Sequence, residues 1–368
     1  MQSKNYLLFV LLIFYFQLTY GQLKSNTKVN TSGAEAYLKV ASALENGLSE
    51  KGVPWQNLFQ TPVYQMLIAG KAIDTTFLKA DMLRVFSSGG NGAPAGASPA
   101  ERYHYAYKQN LNNLENYIGS LNRLNVLDSI KRLLYPFLPK RLQKDENFPI
   151  LFYLNYGGAE ATGSDGLVIN DLLHSYRIDQ YKYGLLAAHE AFHALVSVAF
   201  RQKLKPYISY DAADFNLLYF LENVSEEGIA DLIDKPLLLQ KKSPLYDQVK
   251  VLVNNDETLS VAAINKLDSV LTLAYNAESV LSQYMDFSLM ANVFGKNGGH
   301  IPGRFMGNLI KKSGLLSTHV DRIEDPVSFI TTYNKAVSLG HKKYPTFSEK
   351  SLTYLKRISE KYFSANLN

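Results

Sequence analysis

The chain has 368 residues, 46% of them hydrophobic and 19% charged, with 25 Tyr, 19 Phe and a formal net charge of +5. At about 150 residues per domain this is one large or two modest domains with a real core, and a disordered, solvating tail is excluded. Cysteine is absent, which excludes disulfide frameworks, cysteine nucleophiles, thiolate metal sites, iron–sulfur clusters and a lipid-anchored N-terminal cysteine, so any metal site must use histidines and carboxylates.

In chain order, Lys4 stands in a short polar start, an apolar run extends from Tyr6 to about Phe16, and small residues reach Gly21. Residues 1–21 therefore read as a secretory signal cleaved before Gln22, with an uncleaved anchor helix as the alternative. Its removal takes one lysine and lowers the formal charge from +5 to +4. No later stretch approaches about 18 uninterrupted apolar residues. The expected product is exported, periplasmic or extracellular, with no membrane span. Its basic residues are scattered without an Arg-rich run, which speaks against a nucleic-acid partner.

Residues 22–86 read as a helical N-terminal region. Apolar Tyr37, Val40, Ala41 and Leu44 recur at helical spacing after a potential cap at Ser32, and a second helical stretch runs from about Trp55 to Phe86. Residues 87–99, almost all Gly, Ala, Ser, Pro and Asn, read as a flexible linker, or alternatively as a lid over a site. The region up to Ser88 serves either as a packing lobe or as a removable propeptide. Helical patterns resume over 100–120 and 124–142. The pattern changes once: Ile150–Tyr156 and Leu167–Asn170 are short β-rich runs separated by Gly-rich turns, which predicts a two-stranded element. From Ile178 onward the signals return to helix. The chain is thus predominantly α (α+β), with a small β-sheet ahead of a helical C-terminal region.

The chemistry follows that sheet directly. In Gly184-Leu-Leu-Ala-Ala-His189-Glu190-Ala-Phe-His193, two histidines stand four apart in an apolar helix and share one face, as HExxH metal sites require. Glu190 lies about 100° around the helix from His189, beside rather than on the ion, where it can act as general base. A zinc ion lowers the pKa of water from about 15.7 toward about 7, which supplies a nucleophile at neutral pH. Unpaired, two imidazoles and a carboxylate amid Leu, Ala, Phe and Val would be costly to bury.

Downstream, in Glu226-Glu227-Gly228-Ile-Ala-Asp231, Glu227 and Asp231 are four apart, so Glu227 can coordinate the ion while Asp231 accepts the N–H of a ligating histidine. Glu226 aligns instead with Glu222 and Ala230, which reads as an ordinary solvated face. HExxH followed by a helix bearing Glu-x-x-x-Asp resembles the gluzincins, the thermolysin-like metallopeptidases, and Glu-Gly-Ile-Ala is similar to the corresponding helix of their aminopeptidase branch. The resemblance implies a zincin-like core over residues 100–368, with His189, His193 and Glu227 as zinc ligands, Glu190 as general base and Asp231 supporting the first histidine. It implies hydrolysis of peptide or protein substrates, with Leu167–Asn170 or Ile150–Tyr156 as the strand that pairs with extended substrate. The chain as a whole is similar to secreted bacterial proteins described as zinc-dependent peptidases, whose activity is itself an inference.

Gly-rich residues 295–299 lead into His300 and Arg304 at a helix start. Since members of that family often place a Tyr or His near the zinc on a later helix, His300 is the candidate for oxyanion stabilisation, with Tyr284 as competitor. His104, His174, His319 and His341 read as surface or satisfied residues. Two other functions fit the same motifs: a noncatalytic binding or scaffold protein with a structural zinc, and a zinc hydrolase of non-peptide amides or esters. Glu190 argues against the first, because a closed site has no use for a base.

Overall fold

The computed structural model describes residues 28–90, 92–156, 161–164, 166–204, 208, 213–254, 256–277, 299–340 and 343–363. The expected signal segment, Tyr284, His341 and Gly295 to Gly298 lie outside these residues. The chain divides into two compact units, Met1–Lys131 with Phe148–Ala191, and Arg132–Asn147 with Phe192–Asn368.

The first unit opens with β1 (Val29–Asn30) and α1 (Ser32–Glu45), followed by α2 (Trp55–Phe59), α3 (Pro62–Ala69), α4 (Thr75–Phe86), α5 (Pro99–Lys108) and α6 (Leu111–Arg123). Helix α7 (Val126–Leu134) reaches the end of its first segment. Then come β2 (Ile150–Leu154), β3 (Ala161–Ser164), β4 (Leu167–Asp171) and α8 (Leu172–Asp179). The Gly/Ala/Ser/Pro segment 87–99 joins α4 to α5, which pack on each other and share the Arg84–Glu101 ion pair. Its far end is fixed by a capping box, Ser98 with Glu101.

The strands form one four-stranded sheet in the order β1-β2-β4-β3. The two β-rich runs of the sequence supply its centre, β2 and β4, paired in parallel from Ile150↔Leu167 to Leu154↔Asp171, and every residue of these two strands is buried. Such strands carry near-continuous apolar runs because both faces are covered. The sheet has four strands rather than the two expected. The additional pair, Val29-Asn30 and Ala161-Thr-Gly-Ser, is too short or too small and polar to show a strand pattern.

Tyrosines fill much of this core, and three of the hydroxyls are hydrogen-bonded as follows. Tyr107 donates to Asp171 Oδ2 at 2.8 Å, Tyr64 to the Asn155 carbonyl at 3.2 Å, and Tyr37 pairs with His104 Nδ1 at 2.6 Å. Asp171 closes β4 and caps α8 through the His174 N–H at 2.9 Å. It also accepts the Tyr156 N–H at 3.0 Å.

Helix α9 (Leu185–Leu204) carries the chain from the first unit to the second, whose further helices are α10 (Ala213–Leu238), α11 (Tyr246–Val253), α12 (Asp256–Asn276), α13 (His300–Lys312), α14 (Leu316–Val320), α15 (Pro326–Gly340) and α16 (Glu349–Tyr362). Helix α10 is central: it packs against α13 and α15, and Leu217, Leu218, Leu221, Val224, Ile229 and Ala230 are all fully buried. A helix apolar on every side belongs in an interior. Among the described residues no helix is long and apolar enough to cross a membrane.

Candidate metal centre

Helix α9 begins where Asp179 accepts the Gly184 N–H at 2.8 Å and the Tyr117 hydroxyl at 2.7 Å. Burial pushes the Asp179 carboxyl up to about 7, against those hydrogen bonds. The helix then runs unbroken through HExxH, so His189 and His193 stand one turn apart on one face. His189 is buried and Glu190 half-buried. Tyr156, just beyond β2, feels Glu190: burial first and the Glu190 charge second raise its phenol.

Strand β3 lies against this helix at close quarters. A Cβ on Gly163 would stand 1.9 Å from the Glu190 carbonyl oxygen, so only glycine lets the strand approach. Strand β3 is at the sheet's edge, so among the described residues one of its sides has no strand neighbour. The two strands expected to bind substrate, Ile150–Tyr156 and Leu167–Asn170, are interior instead. β4 is paired along its length on both sides, and β2 is paired along its length with β4 and at Leu151 and Phe152 with β1, while β1 and β3 form the two edges of the sheet.

Within the second unit, His193 meets α10 with both ring nitrogens. Nε2 stands 3.4 Å from Glu227 Oε2, and Nδ1 stands 3.1 Å from Glu226 Oε2. With the Glu226 carboxylate as acceptor Nδ1 carries a proton, and the same contact directs Nε2 at Glu227. Burial alone would lower the imidazole's pKa, but Glu227 and then Glu226 hold it well above the ordinary histidine value. A cation held between Nε2 and Glu227 would take the place of the Nε2 proton. With zinc–nitrogen and zinc–oxygen bonds of about 2.0–2.2 Å, tetrahedral ligands lie roughly 3.3–3.5 Å apart, which is the His193–Glu227 spacing.

Glu226 corrects the sequence reading. Its face of α10 is buried rather than solvated: Glu226 and Glu222 are each 7% exposed and Ala230 is closed to solvent. The apolar residues on every side of 221–233 were the signal, since such a helix has no solvated face to offer. Burial and the Glu226 charge drive the Glu222 carboxyl well up.

The glycines of α13 position His300. A Cβ on Gly303 would stand 2.3 Å from the Val224 carbonyl oxygen, one on Gly307 2.4 Å from that of Gly228, and one on Gly228 2.6 Å from that of Gly303. Backbone therefore lies on backbone where α10 and α13 cross, and the first residue of α13 arrives beside the carboxylates of α10. His300 Nδ1 is 3.0 Å from Glu227 Oε2 and 3.2 and 3.3 Å from the two Asp231 oxygens. The Asp231 side chain is fully buried and also meets Lys235 Nζ at 3.3 Å. Asp231 thus contacts His300 and Lys235, and Glu226 contacts His193. Arg304, the other basic residue of this helix start, pairs with Asp256 instead.

Of the remaining described histidines, His104 and His319 are buried, and their rings are hydrogen-bonded. His319 is fully buried between Ser225 and Ser328, with Phe329 edge-on to its ring. The backbone N–H of His174 donates to the capping Asp171.

Residues 55–340 match a family described as "Putative zinc dependent peptidase (DUF5700)". The chain belongs to that family. The DUF5700 match contains α9, α10 and the start of α13, and so every residue named above as a ligand or base. No curated protein and no solved structure matches the chain. The zinc dependence in the DUF5700 description agrees with the donors present, which are imidazoles and carboxylates grouped closely enough to hold an ion.

Proposed function

We propose that this member of DUF5700 is an exported, gluzincin-type zinc peptidase. His189, His193 and Glu227 would hold the ion. The supporting observation is the meeting of His193 Nε2 with Glu227 Oε2 at 3.4 Å, since these residues come from separate helices and nothing local in the sequence brings them together. Zinc, when bound, supplies Lewis acidity and makes water ionisable near neutral pH.

The chain's own groups do the rest. Glu190, one residue past His189, takes the proton from the attacking water and returns it to the leaving amine. His300, its Nδ1 held by Asp231, offers Nε2 as a donor to the developing oxyanion. The outer side of β3 aligns the peptide by backbone pairing. Export follows from residues 1–21, and the mature protein is expected to begin at Gln22.

The test is metal analysis of the purified mature protein, beside Glu190→Gln, with both assayed on a broad peptide library. The proposal expects about one tightly held zinc in each protein and cleavage by the parent alone. Stoichiometric zinc without any cleavage that the variant lacks defeats the peptidase reading. Absence of bound metal defeats the site itself.

A further inference from the structure

We propose that Glu227, Asp231 and His300 form a second divalent-cation site that shares Glu227 with the zinc site proposed above, and it rests on that reading for the shared carboxylate. Each of the three residues offers one ligand atom, and these lie within 4.8 Å of one another. Nδ1 of His300 faces three oxygens from two carboxylates, at 3.0, 3.2 and 3.3 Å. One N–H cannot satisfy three oxygens equally, whereas a cation in its place can. The spacings match the roughly 3.3 Å expected between ligands around a small divalent ion.

Oxygen Oε2 of Glu227 faces both His193 Nε2 and His300 Nδ1, so this carboxylate stands between two imidazoles. A bridging carboxylate of that kind holds paired ions about 3.5–4 Å apart in two-metal sites. The set of one imidazole and two carboxylates suits zinc or manganese better than a soft ion. His300 is the most exposed of the three, at 37% of its side chain, which gives an entry path. The second ion should bind more weakly than the first, because Lys235 already stands 3.3 Å from Asp231 and because the first ion's charge opposes it. Occupancy would also take the Nδ1 position through which Asp231 orients His300.

The test is titration of the purified full chain with zinc chloride against a chromophoric chelator, for the parent, His300→Ala, His300→Gln and His193→Ala, with circular dichroism to verify folding. The expected result is two zinc ions per parent chain, falling to one tight ion in both His300 variants, while His193→Ala loses the tight one. One zinc in the parent, undiminished in either His300 variant, overturns the second site and leaves the peptidase reading standing. One zinc that is lost with His300 and kept in His193→Ala upholds this site and overturns the HExxH assignment. No zinc in the parent overturns both.

Discussion

Glu226 separates what a motif specifies from what a site needs. HExxH names a ligand but not the group that turns its imidazole, and here that group is a buried carboxylate 3.1 Å from Nδ1 of His193. Removing such a partner typically weakens metal binding by roughly 10–100-fold. Glu226→Ala should show a loss of that size in chelator competition, and Glu226→Gln, which keeps an acceptor oxygen, a smaller one; unchanged affinity in the alanine variant would contradict the assignment. His319 gives a second residue-scale prediction, this one about pH. Burial holds its imidazole down to about 3 in the folded protein, against about 6.5 when unfolded. The unfolded chain therefore binds the proton first as pH falls, so the parent loses stability below pH 6.5. His319→Gln lacks this dependence, and its stability relative to the parent should improve by about 3 kcal/mol between pH 7 and 4. Paired denaturant titrations at the two pH values check it.

At the scale of elements, two close contacts are made by absent side chains. Gly303 lies where a Cβ would meet the Val224 carbonyl at 2.3 Å, so Gly303→Ala must push α13 off α10 and carry His300 with it. Overpacking of this kind costs about 1–3 kcal/mol or more. Gly119→Ala, in a helix where the added Cβ meets only the end of Arg123 at 3.7 Å, is the control and should gain about 0.5–1 kcal/mol. Thermal unfolding of both variants decides it. Gly163→Ala would displace β3 from the Glu190 backbone. A shift of about 1 Å near a reacting centre can cost about 100-fold, so kcat/KM should fall at least tenfold with zinc content unchanged. The metal helix, the Glu227 helix and the two central strands were legible in the sequence because each carries its own period or apolar run. Strand β3, the role of Glu226 and the α10–α13 crossing were not. Ala161-Thr-Gly-Ser has no strand pattern, and a glycine's value at a crossing depends on a partner distant in sequence.

For the whole molecule, the family match and the cysteine-free ligand set agree on the metal, and metal should therefore appear in stability. A ligand that binds only the folded state adds about 4 kcal/mol at a thousandfold excess over its Kd. Chelation should lower the unfolding temperature, readdition of zinc should restore it, and Glu190→Gln should respond like the parent while His193→Ala should not. Calorimetry of the three proteins, before and after chelation and after readdition, tests this, and an identical response from His193→Ala would count against the site. The two-unit division was not legible in the sequence, since its first segment ends within α7 and the later crossing within α9, where the helical pattern runs on without a break. The backbone contact between α10 and α13 also has a meaning for recognising kin. HExxH alone retrieves zinc enzymes of many unrelated architectures. A search that couples Glu-Gly, as at 227 and 228, with a later Gly-His-x-x-Gly-x-x-x-Gly, as from 299 to 307, would select chains able to bring these two helices into backbone contact. That pair of short strings is a fingerprint for the second half of the site, and it is readable without any structure.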